Sequence, residues 1–161
     1  THARDKDAIV AVMCLCEVAA YCKKNNMTLW DMMLEMYEAY GYFKETQYTI
    51  TLKGIDGSKQ IAAIMDKLRQ NPPKMIGDAK VLKFRDYQED KVIDMETGAE
   101  SKTGLPKSNV LYFELPNNCW CCARPSGTEP KIKFYMGVVG NSLDDAQAKV
   151  EQLAEDLKAL L

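Results

Sequence analysis

Residues 123–136 read Ala123-Arg124-Pro125-Ser126-Gly127-Thr128-Glu129-Pro130-Lys131-Ile132-Lys133-Phe134-Tyr135-Met136. Lys131, Lys133 and Tyr135 alternate with Ile132, Phe134 and Met136, the period of a strand with one polar and one apolar face. The residues before the stretch, Asn118 to Ala123, are also rich in strand formers. Between the two strands lies a short turn bounded by Pro125 and Pro130, which bias Arg124 and Glu129 toward extended backbone. The turn is equipped to hold a phosphate monoester. Arg124 offers a planar fork of donors, and Ser126 and Thr128 add hydroxyls. Gly127 lets a ligand oxygen approach its backbone, and successive N–H groups can form an anion nest. The same residues also make an ordinary surface turn.

Working outward, residues 5–24 are predicted helical, with Asp5 and Asp7 in the first turn and Lys23 and Lys24 in the last. Ile9, Val12, Met13, Cys16, Ala19 and Ala20 form its apolar stripe. A second helix starts at the N-cap Thr28, carries Leu29, Met33, Met36, Tyr37 and Tyr40 on one side, and ends at Gly41. Residues 42–47 read as a joint. Tyr48 to Lys53 is predicted as a strand, Ser58 as the cap of a helix running to Pro72-Pro73, and residues 81–87, 91–95 and 110–115 as further strands. Residues 97–107 form a polar loop or long hairpin. Ser142 caps a closing helix whose residues Leu143, Ala146, Val150, Leu153, Leu157 and Leu160 share one face. Strands with amphipathic helices before and after imply an α+β unit whose antiparallel sheet is covered on one face.

The 161 residues and their ordinary composition predict a globular chain of one domain, or one domain and part of another. Net charge is −2, which gives no global basic field for nucleic acid, and no exposed basic–aromatic stripe is legible. No apolar run is long enough to span a membrane. Six cysteines lack metal-knuckle or redox spacing, so no metal site is predicted and reduced thiols in a cytoplasm are expected. His2 is the only histidine, which excludes a Ser-His-Asp triad. The opening Thr1-His2-Ala3-Arg4 reads as an excised or processed fragment.

Two motifs carry a family resemblance. Arg124 to Pro130 followed by Lys131-Ile132-Lys133-Phe134-Tyr135 resembles the C-terminal phosphate-binding loop of the α-D-phosphohexomutases, the phosphoglucomutase and phosphomannomutase family. Thr1-His2-Ala3-Arg4-Asp5-Lys6-Asp7-Ala8 resembles the segment that follows the sugar loop in that family's third domain. The resemblance covers essentially the whole chain and implies its layout. Residues 1–41 would be the helical end of an α/β third domain whose sheet is absent, 42–47 a linker, and 48–161 a fourth domain with a TATA-binding-protein-like sheet. The two N-terminal helices would then pack on the remaining domain, pair with another copy, or stay partly exposed.

The resemblance also implies the chemistry. The family moves phosphate between the C1 and C6 oxygens of a hexose, using a phosphoserine, Mg2+ and a hexose 1,6-bisphosphate intermediate. Here Arg124, Ser126, Gly127 and Thr128 would hold the phosphate that is not transferred, with Lys133 beside them or merely a solvated strand lysine. Lys6 would face the sugar and the reacting phosphate, or else sit as a solvated first-turn lysine. His2 and Arg4 would lie near substrate, and Glu129 would brace Arg124 or a backbone group. The phosphoserine segment and the Mg2+-binding aspartate run are missing, so the fragment is expected to need the protein's other domains for catalysis. It would contain no cofactor of its own and take a hexose phosphate as its small-molecule partner. The alternative is a non-catalytic phosphate- or anion-binding interaction module. The Arg4-Asp5-Lys6-Asp7 segment leans toward the phosphoglucomutase branch.

Overall fold

A computed structural model describes residues 6–52 and 54–161. They divide into two compact units, Thr1–Gly41 and Tyr42–Leu161.

The first unit is a helical pair. Helix α1 (Ala8–Lys24) is capped by Asp7, whose Oδ1 accepts the Val10 amide at 3.0 Å. Asp7 is therefore the cap and not a first-turn residue, and Lys6 precedes the helix. Helix α2 (Leu29–Tyr40) opens with a full capping box. Thr28 Oγ1 accepts the Asp31 amide at 3.1 Å, while Asp31 Oδ2 accepts the Thr28 amide at 2.7 Å. The predicted apolar stripes do not become a core. Ile9, Val12, Met13, Met33 and Met36 are exposed, and Cys22 alone is buried among the unit's described residues. Two helices meeting along one seam cannot enclose their outer faces, so the periodicity marks apolar surface that this unit does not cover by itself.

The second unit has its own core. Its main sheet contains β1 (Tyr42–Thr51), β4 (Lys83–Asp86), β5 (Lys91–Asp94), β6 (Glu100–Ser101), β7 (Leu111–Glu114), β8 (Trp120–Pro125) and β9 (Lys131–Gly140). Seven strands pair antiparallel throughout, in the order β1-β9-β8-β7-β4-β5-β6. A small hairpin of β2 (Met75–Ile76) and β3 (Ala79–Lys80), turning at Gly77 with φ +54°, stands apart from it. Helices α3 (Gly54–Gln70) and α4 (Leu143–Leu160) lie on one face. Ile132, Phe134, Met136 and Val138 of β9 point into that core with Phe84 and Phe113, whose ring centroids lie 5.3 Å apart. Ile61, Met65 and Leu68 of α3 and Val150, Leu153 and Leu157 of α4 close it. Each such side chain, fully buried, stabilises the fold by about 1.5–3 kcal/mol.

Two sequence expectations are corrected here. Residues 42–47 are not a joint. They are the first half of β1, with Tyr42 opposite Gly140 and Gln47 opposite Tyr135. β1 is an edge strand, so Lys44, Glu45 and Gln47 stay exposed and erase the alternation that would have marked it. Ser58 is likewise not a cap, because α3 starts at Gly54. Gly57 hides the true start. It is a poor helix former, yet a Cβ there would come within 2.9 Å of the Leu52 backbone.

The strand carrying the site is fixed at its far end by Gly140. A Cβ at this position would lie 2.4 Å from the Ala146 backbone nitrogen in the first turns of α4. Gly140→Ala is expected to cost about 1–3 kcal/mol, because the clash is with backbone and not with a movable side chain. Chemical denaturation of the two chains side by side checks this.

Candidate functional site

β8 ends at Pro125 and β9 begins at Lys131, so the phosphate-type turn joins two central neighbours of the sheet. The Ser126 amide donates to the Lys131 carbonyl at 2.8 Å, and the Lys131 amide to the Glu129 carbonyl at 2.7 Å. Pro130 is tied to the end of β1, its carbonyl accepting the Leu52 amide at 2.9 Å. Beneath the turn, a 170 Å³ cavity is lined by Ile61, Ala62 and Met65 of α3 on one side and by Pro125, Ser126 and Pro130 on the other. The loop is thus held by strand ends, by an edge strand and by a helix face before any ligand arrives.

Above the turn, one open cavity of 360 Å³ is lined by Arg124, Ser126, Gly127, Thr128 and Lys133, together with Glu129, Lys131 and Tyr135. All five residues predicted for the phosphate therefore converge. Arg124 and Lys133 sit directly opposite each other on the face that α3 and α4 leave uncovered. Like charges in opposite positions of an antiparallel pair repel. Among the described residues neither has a carboxylate within ion-pair distance. An anion between them would relieve that repulsion. The rim carries three cations and one carboxylate, a surplus of two positive charges suited to a phosphate dianion.

The structure also corrects details of the loop. Glu129 does not brace Arg124; it pairs with Lys131. The anion nest is incomplete, because the Ser126 amide is spent on Lys131 and the Thr128 amide faces Ser126 Oγ at a long 3.4 Å. Side chains must then supply most of the grip. Gly127 has a φ outside the left-handed region, and a Cβ there would meet nothing within 4 Å. Neither backbone strain nor the protein's own packing demands a glycine there. Sequence reasoning missed Lys131 and Tyr135 as lining residues. The signal was present, since both share the period-two face of Lys133. Lys6 belongs to the first unit, and His2 and Arg4 lie outside the described residues.

Cys122 lies two residues before Arg124 on the same face, opposite Tyr135. Burial pushes its thiol up to about 11, against a smaller opposing pull from the Arg124 guanidinium. Cys121, in the core, is pushed up further by burial. At pH 8 both should resist iodoacetamide while the exposed Cys14 and Cys16 react, and mass spectrometry of brief labelling reads the order. A raised thiol value means the fold favours the protonated form. That contribution is complete below the ordinary value of 9.0 and is lost as pH rises through about 11, so stability should decline across this window.

No family model matches the chain. Phosphoglucomutase from Staphylococcus aureus (strain bovine RF122 / ET3-1) is 37% identical over 150 residues, which is 93% of this chain. Phosphoglucomutase from Staphylococcus saprophyticus is 38% identical over 148 residues. The chain belongs to the phosphohexomutase family, in its C-terminal region. It spans 27% of the length of these two relatives. As a phosphohexomutase sequence it also finds its fold among solved structures. The open form of the exocytosis-sensitive phosphoprotein pp63/parafusin (phosphoglucomutase) from Paramecium matches 98% of this chain and 28% of that one, at a TM-score of 0.56 and 15% identity. The phosphohexomutase-like α+β sheet, with helices on one face, is the fold predicted from the sequence.

Proposed function

We propose that this chain supplies the receptor for the non-transferring phosphate in a phosphoglucomutase, an enzyme interconverting hexose 1-phosphate and hexose 6-phosphate. The observation that carries the proposal is the opposed, carboxylate-free Arg124–Lys133 pair at the mouth of the Ser126–Thr128 turn. Arg124 engages two phosphate oxygens as a fork, Lys133 adds a point charge, and the hydroxyls of Ser126 and Thr128 complete the shell. Gly127 stays small so that the anion can settle on the turn. Binding energy collected here, remote from the reacting oxygen, orients the hexose and closes the cleft. Because the clamp meets the 6-phosphate of one isomer and the 1-phosphate of the other, it reads phosphate geometry and little of the ring position.

In this reading, residues 1–41 come from the third domain, and Lys6 faces the reacting end of the substrate. Among the described residues no three His, Cys, Asp or Glu side chains gather to hold a metal ion. The one carboxylate lining the loop cavity is already paired with Lys131. The described residues lining this cavity thus offer Mg2+ no set of free oxygen ligands. The metal, the phosphoserine and the bisphosphate intermediate belong to the remaining domains of the protein, without which this chain is inactive. Six free cysteines accord with a reducing cytoplasm, and no helix among the described residues is long and apolar enough to cross a membrane.

Calorimetric titration tests the proposal. Glucose 1-phosphate and glucose 6-phosphate should bind the chain with similar affinity, and binding should weaken as salt rises. Binding of one isomer only would refute an isomer-blind clamp. Failure of both sugar phosphates to bind would refute the receptor itself.

A further inference from the structure

On the uncovered face the cation pair is the last paired row before the turn. A group esterified to a phosphate held there can follow the uncovered face back along β8 and β9. The next residues of that face are Cys122 and Tyr135, paired opposite each other. Beyond them Trp120 lies over Gly137 and stacks on Tyr112, with ring centroids 5.6 Å apart and planes at 15°. The floor thus changes from charge to sulfur and aromatic rings within one step along the strands. Tyr135 is half-buried and lines the same cavity as the clamp, whose 360 Å³ exceed the needs of a phosphate group alone. Its hydroxyl makes no hydrogen bond among the described residues.

We infer that Tyr135 is a ring-contacting residue: its phenol receives the hydroxylated ring of a carbohydrate phosphate whose phosphate sits between Arg124 and Lys133. This rests on the reading of the loop as a phosphate receptor and adds the side on which the ester lies. The aromatic face covers ring C–H groups, and the free hydroxyl exchanges a hydrogen bond with a sugar hydroxyl. Tyr135 thereby makes the site prefer a sugar phosphate to inorganic phosphate, which the clamp alone does not do.

The test is calorimetry or amide-shift titration of the chain with inorganic phosphate and with glucose 6-phosphate. Tyr135→Ala should weaken glucose 6-phosphate about three- to tenfold, the scale of an aromatic contact, and change inorganic phosphate by much less. Tyr135→Phe should recover part of the loss. Lys133→Ala should weaken both ligands together. An unchanged ratio of the two affinities in Tyr135→Ala would overturn the ring contact while leaving the phosphate receptor standing. Failure of the unsubstituted chain to bind either ligand would overturn the receptor and the ring contact with it.

Discussion

Arg124→Ala should weaken binding of inorganic phosphate and of both glucose phosphates by about 10- to 150-fold, which corresponds to the 1.5–3 kcal/mol of a charge-assisted hydrogen bond. The loss is large because no neighbour can replace the guanidinium. Lys131 is committed to Glu129, and Lys133 already serves the opposite side of the anion. The loop amides are partly spent on the turn itself. Arg124→Lys should recover only part of the affinity, since an ammonium cannot match two oxygens at once. Arg124 is exposed, so both variants should fold as the parent does, and circular dichroism checks that. Calorimetric affinities within twofold of the parent would contradict the role given to this residue.

Arg69→Ala should be the most damaging single change to stability, at about 3–5 kcal/mol, a large share of the 5–15 kcal/mol typical of a domain. Asp86 is 2% exposed and is the only buried charged residue among those described. Arg69 Nε donates to its Oδ2 at 2.8 Å, and the Gln88 and Glu89 amides donate to Oδ1 at 3.0 and 3.3 Å. Arg69 also reaches Asp66 at 3.2 Å and Asn109 at 2.8 Å. Removing the arginine strands a carboxylate in the core. Asp86→Ala should cost less, because Arg69 keeps Asp66 and Asn109. Urea midpoints give the order, and equal or reversed costs would contradict it. The consequence reaches the site. Arg69 clamps the C-terminal end of α3, and the same helix lies under the phosphate loop through Ile61, Ala62 and Met65. Arg69→Ala should therefore also loosen the loop and weaken phosphate binding modestly, without touching ligand.

Local chemistry made much of this legible in the sequence. The loop and its flanking strand carry their own signature, with turn residues between two prolines and then strict alternation, and Arg124, Ser126, Gly127, Thr128 and Lys133, the residues the resemblance assigns to a phosphate, line one cavity. The closing helix was equally readable, because Ser142 caps it, accepting the Asp145 amide at 3.1 Å, and Val150, Leu153 and Leu157 are buried. What stayed hidden depends on long-range partners. The first half of β1 shows no pattern because its order comes from pairing with β9, where Tyr42 meets Gly140, 98 residues along the chain. The Arg69–Asp86 tie links a helix end to a strand end, and nothing local in either segment announces it. The α1 stripe misled for the opposite reason. Periodicity reports that a face is apolar, and this two-helix unit does not itself cover it. Glu129 was a choice between neighbours, decided by strand geometry that sets Lys131 and not Arg124 beside it.

A crystal of the chain soaked with glucose 6-phosphate addresses the central claim most directly. The account predicts the phosphate between the Arg124 guanidinium and Lys133, within hydrogen-bonding distance of the Ser126 and Thr128 hydroxyls, with the sugar lying toward Tyr135. An empty cavity with the ligand bound elsewhere, or a phosphate seated away from Arg124, would contradict it.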